Sequence, residues 1–294
     1  MANLKEIRVR ISSVVSTKQI TSAMKMVSAA KLKKAQDSII QLRPYAQKLN
    51  EILKNISSSL DSADDNIYGK ERQVKNVLIV LITSNRGMCG AFNSNAIKTA
   101  LNAANTSYES QLKQGRLNFV CIGKKGNDFL RIKRYPILQS YNEILDKPTF
   151  DKVIPVASEI MQLFVSAQYD KVILVYNKFK NAAVQQLVEE QFLPVPKQEK
   201  DDKDKGMKSD YIFEPSKEFI MKELIPKSLK VEFFKAILDS YASEHGARMT
   251  AMHKATDNAT EMIKQLTLNY NKARQAAITG EILEIVGGAE ALKG

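Results

Sequence analysis

The residues best placed to do chemistry are Ser84-Asn85-Arg86-Gly87-Met88-Cys89-Gly90, which follow an apolar run and open a helical pattern. At that point of an α/β sheet a glycine-rich turn can cradle phosphate on backbone N–H groups. Here Gly87 and Gly90 stand three apart and no Lys-Ser/Thr pair follows, so neither phosphate-binding fingerprint is met. The spacing favours a structural turn over a nucleotide site. His245 and His253 are eight apart on a helical pattern, too far to share a metal, and read as packed or solvated side chains. Cys89 and Cys121 lie in apolar surroundings with no second cysteine close to either, so both read as reduced thiols of a cytoplasmic protein. No carboxylate pair, nucleophile elbow or His-supported nucleophile can be assembled from these spacings. The expectation is a protein with no catalytic centre, cofactor, metal or nucleotide of its own.

What remains is architecture, and its largest part is the last third of the chain. Phe234, Leu238, Tyr241, His245, Arg248, Met252, Ala255, Ala259, Met262, Leu266, Asn269, Ala273, Ala276 and Gly280 alternate steps of three and four, the seam of a coiled coil. No proline follows Pro226, and nothing obliges this helix to stop before Gly287-Gly288. At about 1.5 Å per residue it would be on the order of 100 Å long.

The N-terminal 60 residues are also helical. Leu4, Ile7, Ile11 and Val14 step by three and four, and Ile20, Met24 and Val27 resume after an expected phase shift. Lys18, Thr21, Lys25 and Lys31 lie on or beside the seam, so it is partly wet or borders another protein. Pro44 should kink the helix, with fraying through Ser57-Ser58-Ser59.

Between the helices the periodicity changes. Val77 to Thr83, Leu117 to Ile122 and Val172 to Tyr176 are short apolar runs of the kind buried on both faces of a parallel sheet. Helical patterns at Ala91 to Ala104 and Phe150 to Ala167 separate them, which is the alternation of an open, Rossmann-like α/β domain. Lys197 to Asp210 alternates Lys with acids and reads as a surface loop; Tyr211-Ile212-Phe213 suggests an edge strand. The fold class expected is therefore α+β with an α/β insertion: a long antiparallel coiled coil at 1–69 and 216–294, with the open sheet at 70–215. If both helices start at the domain end, Met24 faces about residue 251 and Ala2 about residue 273. The last twenty or so residues would then project unpaired, with Ile282-Leu283-Glu284-Ile285-Val286 apolar at the tip and in need of a socket.

Charge bounds the partners. The net charge is +12, and residues 1–60 hold eleven Lys or Arg against three acids. An anionic surface is implied: acidic protein, nucleic acid or anionic lipid, with a merely solvated face as the plain alternative. Aromatics for base stacking are scarce on the helix and Trp is absent, which disfavours nucleic acid. No stretch approaches the 18 or so apolar residues of a membrane span, and MANLKEIRVRI lacks the apolar core of a signal peptide.

Five segments together resemble one family. They are Thr21-Ser22-Ala23-Met24-Lys25-Met26-Val27-Ser28-Ala29-Ala30-Lys31, Arg43-Pro44-Tyr45, the Ser84 to Gly90 loop, Ala247 to Asn258 and Tyr270 to Thr279. With Glu284 to Ala289 they resemble, in the right order, the γ subunit of F-type ATP synthases; the rest of the middle domain matches only loosely. The resemblance implies a rotor. The terminal helices would turn inside a head of α and β subunits, and the middle domain would be a foot beside the ε subunit and the membrane c-ring. Arg274 and Gln275 match the pair that catches a β-subunit loop, Thr279 a neighbouring coupling position, and Met24 and Arg248 two shaft positions that matter for coupling. Ile282, Ile285 and Val286 would ride in an apolar bearing. Catalytic residues would lie on β and α. The missing transit peptide points to a bacterium, or else to a mature organellar chain; with the former favoured, the resemblance implies a peripheral protein on the cytoplasmic face of the inner membrane. The paired-cysteine insertion of chloroplast relatives is absent, and the Lys197 to Asp210 loop is longer than the family suggests.

Overall fold

The computed structural model describes residues 4–58, 67–195 and 217–292. The chain opens with α1 (Leu4–Ser58) and closes with α6 (Lys217–Ala291), a single helix of 75 residues. Between them lie β1 (Val77–Ile82), α2 (Phe92–Asn102), α3 (Glu109–Lys113), β2 (Leu117–Ile122) and α4 (Lys124–Ile132). There follow β3 (Ile137–Tyr141), α5 (Phe150–Val165), β4 (Lys171–Phe179) and β5 (Gln185–Leu193). α1 runs across Pro44 and α6 across Pro226, so neither proline ends its helix. One lost hydrogen bond is tolerated where the turns on either side hold. The charged stretch 197–210 and the possible strand at 211–213 lie outside the described residues.

By its contacts the chain forms two compact units, residues 1–28 with 248–294, and residues 29–247. The larger unit is built on one sheet of order β3-β2-β1-β4-β5, parallel except for β5. The strands expected from continuous apolar runs are β1, β2 and β4. β1 is fully buried along Val77–Ile82, as a central parallel strand must be. Alternate residues feed two cores. Leu78, Val80 and Ile82 face Val156, Ile160 and Phe164 of α5 and Leu229, Phe233 and Ile237 of α6. Val77, Ile79 and Leu81 face Ala96 and Ala100 of α2 and Leu130 of α4. β3 and β5 escape a sequence reading because edge strands are half solvated, and their polar residues break the apolar run. After α2 the helix widens to π-type bonding over Ala103–Ser107, with Tyr108 N donating to Ala103 O at 3.1 Å.

Candidate functional site

The turn after β1 spends its polar groups on itself. The Ser84 amide donates to Asn93 Oδ1 at 2.9 Å, and the Ser84 hydroxyl donates to Arg86 O at 2.6 Å. Asn93 Nδ2 donates to Ser84 Oγ at 2.7 Å. The entrance of α4 is engaged in the same way. Lys124 N donates to Asn85 Oδ1, Lys125 N to Ser84 O and Gly126 N to Thr83 Oγ1. The Ser84 amide and the first amides of α4 are thus already bonded within the protein, which favours the structural turn. Met88 and Gly90 take positive φ of 60°, the left-handed backbone a tight turn requires. Cys89 and Cys121 are both buried and in no disulfide; burial pushes the Cys121 thiol up to about 12, which keeps it protonated. His245 is buried with its ring 4.5 Å from that of Tyr241, edge to face, while His253 is exposed with Nδ1 3.3 Å from Asp257.

The feature that points to function is the helix pair of the smaller unit. Thr21 Oγ1 and Thr256 Oγ1 lie 2.9 Å apart, and Arg8 donates to the Tyr270 hydroxyl at 2.9 Å with its guanidinium 5.8 Å from the ring centroid. Partner numbers fall on α6 as they rise on α1, so the pair is antiparallel. The count from the domain end would set Thr21 opposite about residue 254 and Met24 opposite about 251. The observed pairs place Met24 level with about 253, a slip of less than one turn.

On α1 the expected seam holds for Leu4, Ile7, Ile11, Val14 and Met24 and, with Lys18, Thr21 and Lys25 on or beside it as expected, fails at Ile20, Val27 and Lys31, which are exposed. Leu4, Ile7, Ile11 and Val14 are half-buried, and Lys18, Thr21, Lys25 and Ser28 continue the same steps of four and three at half-buried or buried positions. No phase shift occurs. Ile20 and Val27, expected to resume the seam, are 60% and 57% exposed. The physical reason is that small hydroxyls let the helices approach and bond to each other, as Thr21 and Thr256 do, while the stems of Lys18 and Lys25 can lie along the partner with their charges in water. On α6 Leu266, Ala273 and Gly280 hold the expected seam at half-buried positions, while the seam shifts by one at two other positions. Ile263 and Tyr270 are half-buried where Met262 and Asn269 were expected, and those two are exposed, as is Ala276.

The candidate site residues divide accordingly. Met24 is half-buried on α1, and Arg248 is buried on α6. Arg274, Gln275 and Thr279 are exposed, and Thr279 Oγ1 donates to Gln275 O at 2.9 Å, so it spends its proton on its own helix. From Arg274 to Leu292 every residue is exposed except the half-buried Gly280, and Ile282, Leu283, Ile285 and Val286 stand in water. An apolar stretch left bare at the end of a helix is a surface for another molecule. The exposed Ile20, Met26 and Val27 on α1 belong to the same class, and sequence periodicity had assigned two of them to the seam.

A profile for the ATP synthase family matches residues 3–292. Proteins named ATP synthase gamma chain are similar along the whole length. That of Flavobacterium johnsoniae is 59% identical over 295 residues, and that of Christiangramia forsetii 57% over 294, with 100% of both chains covered in each case. Among solved structures, the central stalk and c-ring of Tetrahymena thermophila mitochondrial ATP synthase holds a chain that is 25% identical, with TM-score 0.60, covering 80% of this chain and 99% of that one. A chain in the F1/c-ring assembly of the Euglena gracilis mitochondrial enzyme shares the fold, at 19% identity and TM-score 0.68, with coverage of 98% and 94%.

Proposed function

The chain belongs to the ATP synthase γ-chain family and is a central-stalk subunit, and we propose that it is the rotor coupling ion-driven turning of a c-ring to the catalytic cycle of the head. In this reading residues 1–69 and 216–294 form the shaft, which turns inside the α and β subunits. Residues 70–215 form the foot, set against the ε subunit and the c-ring. Binding and making of ATP belong to β and α, and this chain supplies asymmetry and torque. Arg274 and Gln275 catch a β-subunit loop, Thr279, Met24 and Arg248 tune coupling, and Ile282, Ile285 and Val286 form the bearing tip. The complex holds the chain at the cytoplasmic face of a bacterial inner membrane; among the described residues no helix is long and apolar enough to cross one.

The observation that carries this reading is the exchange of polar and apolar residues on α1. A coiled coil that stood alone would hide Ile20 and Val27 and expose Lys18 and Lys25. The reverse suits a helix whose outer face meets a second protein surface and whose seam is only moderately adhesive. The exposed lysines and arginines of residues 4–34 suit acidic segments on that surface; each such pair contributes about 1 kcal/mol or less, which favours guidance over tight gripping. The test is co-expression of a tagged chain with the α and β subunits of the same cell, followed by a hydrolysis assay with and without it. A stoichiometric complex whose ATP hydrolysis depends on this chain is expected. Purification of the chain alone would overturn the reading.

A further inference from the structure

Asp239 of α6 is 5% exposed, yet its carboxylate makes no hydrogen bond and no ion pair among the described residues. A carboxylate so largely buried and with no hydrogen bond is costly in its charged form. Charged and titratable groups approach it from every element packed there. Lys235 lies on α6 itself, Tyr176 and Lys178 on β4, Glu190 on β5 and Arg43 on α1. Tyr176 is committed elsewhere, since its hydroxyl donates to Glu190 Oε2 at 2.9 Å. One turn beyond Asp239, the fully buried Ser243 hydroxyl has no hydrogen-bond partner. Asp239 and Ser243, one turn apart, therefore share one buried helix face.

The position matters as much as the chemistry. On one side of Asp239, Phe233 packs against Phe192 of β5 at 5.6 Å. On the other, Gly246 backs onto the β4–β5 turn so closely that an added Cβ would lie 3.1 Å from Ala182 O. Asp239 thus sits between the two contacts by which α6 holds the β4–β5 hairpin. One turn back along α6, a cavity of about 30 Å³ is lined by Tyr176, Lys178, Glu190, Glu232 and Lys235, and Asp239 is not part of its wall.

We propose that Asp239 is a proton-binding site that locks α6 onto the β4–β5 hairpin. With its proton on, the neutral carboxyl fits the packed face and can hydrogen-bond Ser243. With the proton lost, the charge is poorly solvated and only partly offset by Lys235, Lys178 and Arg43, and this stretch of α6 opens more readily. Burial raises the affinity of Asp239 for its proton, to a pKa of about 6, against the opposing pull of Lys235, Lys178 and Arg43. Because the closed state binds the proton more tightly than the open state does, the lock is strongest in acid. It weakens as pH rises from about 4 to about 6 and changes little above that. Every group involved belongs to residues 29–247, so the lock operates in the isolated chain and does not require the rotor role.

The experiment is amide hydrogen exchange on the full chain, corrected for intrinsic rates, with carboxyl-¹³C NMR titration of Asp239 alongside. Amides of residues 232–246 should be about tenfold better protected at pH 5 than at pH 7.5. Asp239→Asn should remove that dependence and keep the segment protected at pH 7.5. The carboxyl itself should titrate near pH 6, a readout that needs no variant to fold. A flat wild-type profile, a variant that keeps the slope, or a carboxyl that titrates in the ordinary range would overturn the proposal.

Discussion

At the scale of single residues, the α/β unit is held by positions where no other side chain fits. Gly123 ends β2 with φ of 105°, and a Cβ there would lie 2.2 Å from the Thr83 carbonyl oxygen. Backbone cannot yield as a flexible side chain can, and the conformation itself is strained for any L residue. Gly123→Ala should therefore cost about 3 kcal/mol or more. For a unit of this size that lowers the thermal midpoint by about 6 to 12 °C, which calorimetry can read directly. An unchanged midpoint would show that the β2–α4 turn adapts. Such a position is invisible in the sequence, where Gly123 is one of two neighbouring glycines with Gly126 and nothing distinguishes their tasks. The close approach depends on Thr83, which lies 40 residues earlier.

At the scale of elements, the sequence marks the two long helices and the three central strands plainly, because each buries a whole stripe or a whole run. It marks faces less well. Ile20 and Val27 are the more apolar choice for a seam, yet Thr21 and Ser28 are buried in their place. What decides this is the opposite helix. Thr256 presents a hydroxyl that Thr21 meets, and the packing distance suits small residues. The pairing yields a direct test. Cysteines in place of Thr21 and Thr256 should form a disulfide within one chain under mild oxidation, since the hydroxyls they replace are 2.9 Å apart. The bridge joins two parts of the same rotor, so hydrolysis by the assembled complex should continue. A pair at Met24 and Ala251, taken from the simple count, should crosslink less readily. The reverse order of yields would restore the counted register.

At the scale of the whole molecule, coupling is the property that needs every part. Arg274 and Gln275 sit exposed on α6, where they support no packing of this chain. Replacing both by alanine should leave folding and assembly intact, because surface substitutions away from buried contacts change stability by about 0.5 kcal/mol or less. ATP synthesis driven by an ion gradient should fall by a larger factor than ATP hydrolysis. Synthesis at the wild-type rate in the double variant would remove these residues from the coupling path. Sequence alone determined that this chain is two long helices around an open α/β domain, that it is basic, and that its motifs resemble a rotor subunit. Those properties follow from periodicity, composition and local segments, which travel with the chain itself. Only the tertiary structure decided which face of α1 turns inward, which strands close the sheet edges, and that Asp239 lies buried among charges from other elements. Each of these depends on groups far apart in sequence, and burial is a property of the packed neighbours rather than of the residue.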